Sequence, residues 1–475
     1  MQVVPPEKGL HFAILSIMNE LLALTGLGIF AMFAEIFNFR KAIYPVVLLG
    51  LAAVIGLCFL DWNNTQTYYN MMRTDHFALA FTGVMSATAL LWFLMSKSYF
   101  EDETNMSDHF ALVLFALVGA FCMVSYTNMS MLFIGIEVLS IPLYVLVGSR
   151  KRDIASNEAS FKYFLMGSFA SAFLLFGITF LYGATGSFDI TTIGESITRA
   201  NGSVSTLFLV GVLLILIAMS FKVSAAPFHF WAPDVYQGAP TVVTAFMATI
   251  VKTAAIAAFF RLFSTSFAGA ESRFADSIWA IAAATMLIGN IIAAAQSNVK
   301  RMLAYSSIGH AGFMMIAILL LNAEAGQSIL YYTAAYSAAS IAAFLVLYLV
   351  GSVGEGNVNI SSFNGLVKRN PLMAGTMTIA LLSMSGIPPL AGFFAKYFIF
   401  VGALKAGFNG LTLIAIISSL IGVYYYFKII IAMFFGNPDG LPKFNLSNTH
   451  RFLLLFVSVL IVILGLFPDL ITRLI

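Results

Sequence analysis

Six titratable side chains stand where a chain this apolar is not expected to keep them. Glu137, Lys222, Lys252, His310 and Lys396 fall inside or directly beside long apolar runs, and Lys162 lies near one end of another. Placing Lys or Asp at the centre of a spanning helix costs roughly 2.5–3.5 kcal/mol on insertion scales, so several such residues imply a use. Amines, carboxylates and imidazoles share one chemistry that needs neither nucleophile nor cofactor. Each can hold a proton and hand it on. If Glu137 and Lys222 lie ~10 Å apart at an effective dielectric of ~20, their coupling is ~1.7 kcal/mol, enough to influence whether Lys222 keeps its proton. A string of such groups with water between them is a proton relay. Lys428, Arg261 and Glu35 sit near span ends, where snorkelling to the headgroups explains them.

The rest of the chemistry is negative. The two cysteines, Cys58 and Cys122, are too few to ligate an iron–sulfur cluster. No Cys/His spacing suggests zinc, and no glycine-rich phosphate loop follows a strand. If electrons matter here, a partner carries them.

The elements that must position the six are spanning helices. Of 475 residues, 60% are apolar and only 9% charged, against roughly 25% charged in a soluble protein. That excludes a soluble enzyme, a nucleic-acid binder and a disordered chain. Net charge +3 is too small to suggest a polyanionic partner. Runs of the ~20 residues that cross a bilayer number about fourteen. They lie near 18–37, 44–60, 77–96, 109–126, 128–148, 160–182, 204–223, 242–263, 277–295, 302–321, 329–351, 372–400, 411–435 and 452–471. No period-two alternation suggests a β-barrel. The expected fold is an all-α polytopic membrane protein. Twelve Lys/Arg in one set of alternate loops against six in the other set and the termini put both termini on the non-cytoplasmic side. Met1–Leu10 lacks a basic region and cleavage site, so no cleaved signal is expected.

Two spans are interrupted by proline, one at Phe221–Pro227 continuing through Trp231 and one at Ser385–Gly392. Proline frees backbone carbonyls, which lipid tolerates only where protein or water meets them. Five-helix units starting near Asp108 and Ser277 are offset by about 169 residues, and Pro227 and Pro388 by 161, so each break falls in the fourth helix of its unit. Paired broken helices in matching halves point to a transport site. The expected organisation is an N-terminal three-helix segment (1–107), two five-helix units (108–263 and 277–435) and a C-terminal helix (436–475). His229 and Asp234 follow the first break; they could line a cytoplasmic mouth, although a Pro/aromatic segment has ample packing reasons of its own.

Several stretches then carry a resemblance: Gly135-Ile136-Glu137-Val138-Leu139-Ser140-Ile141-Pro142-Leu143-Tyr144, Glu158 to Leu165 with Leu181 to Ser187, Lys222 to Pro240, Gln296 to Ser307, and Gly386 to Lys396. Together they resemble the antiporter-like membrane subunits of respiratory complex I, over nearly the whole chain and most firmly from Asp108 to Phe435. A lysine at Lys396 is unlike the sister type that has glutamate there, and the chain lacks the long lateral helix of another. The first span ends in Ala34-Glu35-Ile36, where an aspartate is expected. The resemblance implies two inverted five-helix repeats. It implies a switchable Glu137–Lys222 ion pair, Lys252 as the central relay residue, Lys396 near the exit, and Lys162 and His310 as links. It implies a bacterial inner-membrane, proton-translocating subunit of NADH:quinone oxidoreductase, surrounded by other membrane subunits. NADH, FMN, iron–sulfur clusters and quinone would be handled by those partners and no cofactor by this chain. The runner-up is a subunit of a multicomponent Na⁺(K⁺)/H⁺ antiporter. A third class is a structural scaffold.

Overall fold

The computed structural model describes residues 19–101, 105–200, 202–354 and 356–475. The reading of the N-terminus as uncleaved falls outside them. The chain is a bundle of apolar helices: α1 (Asn19–Ala34), α2 (Arg40–Leu60), α3 (His76–Glu101), α4 (Met106–Ser125), α5 (Met129–Val147), α6 (Ile154–Thr185), α7 (Ile190–Arg199), α8 (Thr206–Lys222), α9 (Trp231–Gly238), α10 (Thr241–Ser266), α11 (Ala275–Ala294), α12 (Val299–Leu320), α13 (Ala323–Val353), α14 (Pro371–Ser385), α15 (Ala391–Lys405), α16 (Asn409–Phe435) and α17 (Asn448–Leu466). Eleven are long and apolar enough to cross a membrane, and α1, α8 and α14 are shorter apolar helices.

Helix starts are written in the loops. Asn128, Asp153, Asp189, Ser205, Asn298, Asn322, Asn370 and Ser447 each accept a hydrogen bond from a backbone N–H two or three residues on. Each relieves one of the orphan donors of a first turn, worth about 1 kcal/mol. Burial then sorts the helices. The α10 window is wholly enclosed, α12 and α13 nearly so, while α2, α6 and α16 turn most of their surface outward. Lys252 thus lies on the innermost helix. A π-turn, Met247–Val251, immediately precedes it; such turns insert an extra residue and re-aim the side chains beyond them.

Both proline segments are true breaks. Helix α8 stops at Lys222, and Ser224 takes a positive φ of 63° before Pro227. Helix α14 stops at Ser385, with Gly386 left-handed at φ 87°. A Cβ on Gly386 would come within 3.0 Å of the Lys396 side chain, so this glycine supplies both the turn and the room for the lysine. The freed groups find partners. Ala226 N–H donates to Thr285 (2.8 Å), Trp231 to the Phe221 carbonyl (3.2 Å), Gly392 N–H to Ser383 (3.0 Å) and the Lys396 ammonium to the Ser385 carbonyl (2.9 Å).

Two isolated backbone bridges sit at corresponding places. Asn128 pairs with Asp189, and Asn298 with Asn359, each residue 170 positions after its counterpart. Helix α5 runs from the first bridge to the turn at Arg150, whereas Asn298 lines the same cavity as Arg150. The two bridges therefore lie at opposite ends of the bundle.

Three features depart from the sequence reading. A two-stranded hairpin, β1 (Gln66–Tyr68) with β2 (Met72–Thr74), fills the loop before α3. The loop after α6 holds the amphipathic α7, which buries Ile190, Ile193 and Ile197; a ten-residue helix is too short for a span search to find. Arg261 does not snorkel. It is buried, pairs with Asp75 at 2.5 Å and lies over the Phe77 ring, so the carboxylate at the start of α3 meets its charge inside the protein.

Candidate functional site

The titratable groups fall into three places. At the first, helix α5 presents Glu137 and Ser140 one turn apart. Ser171 of α6 donates to Glu137, and Lys222 at the end of α8 donates to Ser140. Lys222 is buried and Glu137 half-buried. The ion pair implied for these two is not formed. No Glu137 oxygen lies within 4.0 Å of the Lys222 ammonium, because each charge is engaged by a serine hydroxyl instead. A cavity of about 10 Å³, lined by Ser140, Ser171 and Lys222 among others, adjoins them. That is about the room one water needs.

The second place is the bundle interior around α12. Helix α12 lays Ser307, His310 and Phe313 along one face at spacings of three. Lys252 donates to both the carbonyl and the hydroxyl of Ser307, each at 2.5 Å. His310 is hydrogen-bonded at both ring nitrogens, by Tyr332 (2.7 Å) and Tyr426 (3.2 Å), and Tyr426 also meets Ser306. With one ring nitrogen donating and the other accepting, a neutral imidazole can take a proton on one side and release one on the other. Lys396 sits 5.1 Å over the Phe313 ring, whose centroid is 6.0 Å from that of His310. It donates to the Ser385 carbonyl and to Ser419 (2.8 Å). Lys252, His310 and Lys396 are all buried, and one stripe of α12 brings them into a row.

Lys162 is the third place, and it stands apart. Its ammonium is partly exposed and bonds Glu158 (2.6 Å) and Asp234 (2.9 Å) at the end of the bundle that carries Arg150, Lys300 and Arg301. No hydrogen bond or ion pair joins any two of the six residues directly. The Phe313 ring stands between His310 and Lys396, and serine hydroxyls engage Glu137, Lys222 and Lys252. The reading from sequence missed Ser140, Ser307, Tyr332 and Tyr426. Two of these carried a signal, since Ser140 and Ser307 lie three residues from Glu137 and His310, the spacing of helical neighbours. Tyr332 and Tyr426 carried none, being two of 18 tyrosines.

Residues 126–422 match the sequence profile of the family described as NADH:quinone oxidoreductase/Mrp antiporter, transmembrane. The chain belongs to that family. Among its members, NADH-quinone oxidoreductase subunit N of Cytophaga hutchinsonii is 43% identical over 96% of this chain and 99% of its own. The Flavobacterium johnsoniae protein of the same name is 46% identical over 96% of this chain and 99% of its own. A chain of respiratory complex I from Thermus thermophilus superposes with a TM-score of 0.83 at 32% identity, covering 96% of this chain and 98% of that one. A chain of the Mrp complex from a Dietzia species reaches a TM-score of 0.84 at 21% identity over 97% and 95%, a likeness of fold. The family is one of multi-pass membrane proteins, as the apolar helices require.

Proposed function

We propose that this chain is the N-type antiporter-like membrane subunit of a proton-pumping NADH:quinone oxidoreductase. It moves protons while other subunits carry electrons from NADH to quinone. The single observation behind this is near-full-length similarity, at 43% and 46% identity, to proteins named for that subunit. NADH, FMN, iron–sulfur clusters and quinone belong to the partners. The residue roles are those the resemblance implies, and the burial and hydrogen bonding of these groups support them. Glu137 and Lys222, parked on separate serines, are a pair poised to close. Lys252 is the central store, His310 passes protons along the α12 stripe, Lys396 is near the exit and Lys162 receives at the far end. The two helix sets containing α8–α9 and α14–α15 act as inverted repeats, a reading supported by the 170-residue offset of bridges at opposite ends. Counting α1 and the two broken helices, each as one crossing, gives fourteen spans. The end rich in Lys and Arg faces the cytoplasm across a bacterial inner membrane, with both termini on the other side.

The assembly is tested by isolating the tagged chain in mild detergent and identifying its companions. Flavin- and iron–sulfur-bearing subunits are expected. A set of purely membrane-embedded cation/proton antiporter subunits would replace this reading with the other family branch.

Phe313 tests the row itself. Its ring contacts both His310 and Lys396 and offers neither donor nor acceptor. Phe313→Ser puts a hydroxyl there and opens space for water, so it is expected to speed the decay of a preset pH gradient in vesicles given no NADH. Decay and pumping both equal to the parent would show that the ring does not separate the two groups.

A further inference from the structure

The turn between α5 and α6 reads Gly148-Ser149-Arg150-Lys151-Arg152-Asp153, three cations in a row in a chain that is only 9% charged. All three are exposed, and among the described residues none has a carboxylate within 4.0 Å. Lys162, Arg261 and Arg301 each meet one. The turn forms one wall of a cavity of about 770 Å³ that reaches across to the start of α4, and none of the six relay residues lines it. The two carboxylates of this cavity are engaged by helix starts. Asp153 accepts from the Ala155 N–H at 3.0 Å as the cap of α6, and Asp108 stands in the first turn of α4, where the helix dipole favours a negative charge.

Other donors are left over. Among the described residues, the buried Ser149 hydroxyl has no hydrogen-bond partner, and the backbone N–H groups of Arg150 and Arg152 find no acceptor. Leu112 and Val145, each inside its helix, line the cavity as well. Cations and spare donors thus stand at the helix ends, with apolar side chains further in. A lipid molecule has the same order, charge outside and hydrocarbon inside. Basic pockets between helices at a membrane surface hold anionic headgroups. A phosphate accepts from several donors at once, and Arg can meet it through two parallel bonds. Membrane topology alone accounts for basic residues in this turn, but not for a cavity beside them lined with unused donors.

We propose that this cavity binds the phosphate of an anionic phospholipid against Arg150, Lys151, Arg152 and the Ser149 hydroxyl, with the acyl chains passing Leu112 and Val145. The bound lipid ties the start of α4 to the turn that joins α5 and α6. The inference needs only a chain that crosses a bilayer, so it stands or falls apart from the proton-moving reading above.

The test reconstitutes the tagged chain, isolated with its companions, into phosphatidylcholine vesicles that hold a minor share of phosphatidylglycerol with a photoreactive group at the start of one acyl chain. Parallel vesicles carry the same group on phosphatidylcholine. After illumination, labelled peptides of this chain are identified by mass spectrometry. Phosphatidylglycerol is expected to label residues 105–112 and 145–153 roughly tenfold or more above phosphatidylcholine, since each basic residue at a membrane surface contributes a factor of about five. Arg150→Gln and Arg152→Gln each lower that excess about fivefold. Each leaves two cations in the turn, so the topology is kept. Arg152→Lys retains the charge and most of the label, which a variant that disturbed the turn would not. Equal labelling by the two lipids overturns the proposal, as does an excess untouched by either Gln substitution. Absence of label would mean that a neighbouring subunit closes the cavity, and overturns it too. An excess of inorganic phosphate, compared with chloride at the same ionic strength, is expected to leave the label in place. Its loss to the phosphatidylcholine level would make this a site for free phosphate and end the lipid assignment.

Discussion

Lys252→Met stops NADH-driven proton pumping and leaves the complex assembled. The expected loss is roughly a hundredfold or more, the low end for removing a positioned proton-transfer group. Lys252 is 3% exposed on the most enclosed helix, and among the described residues its hydrogen-bond partners are two atoms of Ser307. Methionine fills similar volume and removes the cost of burying a charge. Ser307 lies within α12, where its hydroxyl can turn back to a carbonyl of the preceding turn. A structural lysine would therefore be dispensable here and a proton-holding one would not. Vesicle acidification and the amount of assembled complex, measured together, decide it. Full pumping, or a loss matched by loss of complex, would sink the assignment.

Gly392→Ala is the second large effect, and it acts through backbone. A Cβ at this position would stand 1.8 Å from the Ser383 carbonyl oxygen and 2.6 Å from its carbon. Neither atom belongs to a flexible side chain, so α15 has to move off the end of α14. Overpacking typically costs about 1–3 kcal/mol, and a clash against main chain belongs at the upper end or beyond. The hydrogen bond from Gly392 N–H to Ser383 is lost in the same motion. Lys396 is one turn further along α15, so its 2.9 Å bond to Ser385 and 2.8 Å bond to Ser419 open as well. Less assembled complex is expected, and less pumping per complex. Gly375→Ala is the control, since a Cβ there meets nothing within 4 Å. Equal behaviour of the two variants would contradict the tight junction.

The sequence made the charged groups legible because apolar spans leave them nowhere to hide. Lys222, Lys252, His310 and Lys396 stand out for that reason, and all four are buried. The breaks were legible too, because proline and glycine limit what a backbone can do. What joins the groups was not. Ser140, Ser307, Tyr332 and Tyr426 are residue types that membrane helices also use for ordinary packing, and their function lies in which helix faces them. Arg261 was misread for a related reason. A basic residue near a span end has no need to snorkel where the protein itself supplies a carboxylate, as Asp75 does here. The Glu137–Lys222 pairing illustrates the remaining gap: spacing and resemblance name the partners but not whether the pair is closed.

Phe313 has one more consequence. A benzene face gives a hydrogen ion nothing to travel along, so if the groups beside α12 form the relay proposed above, the ring between His310 and Lys396 keeps that row from being a wire. Were it one, the voltage stored across the bilayer would drain through the protein at rest. On the relay reading proposed above, with the ring lying against Lys396, charge would cross only when a side chain swings, much as a canal lock passes a boat without ever joining the two water levels.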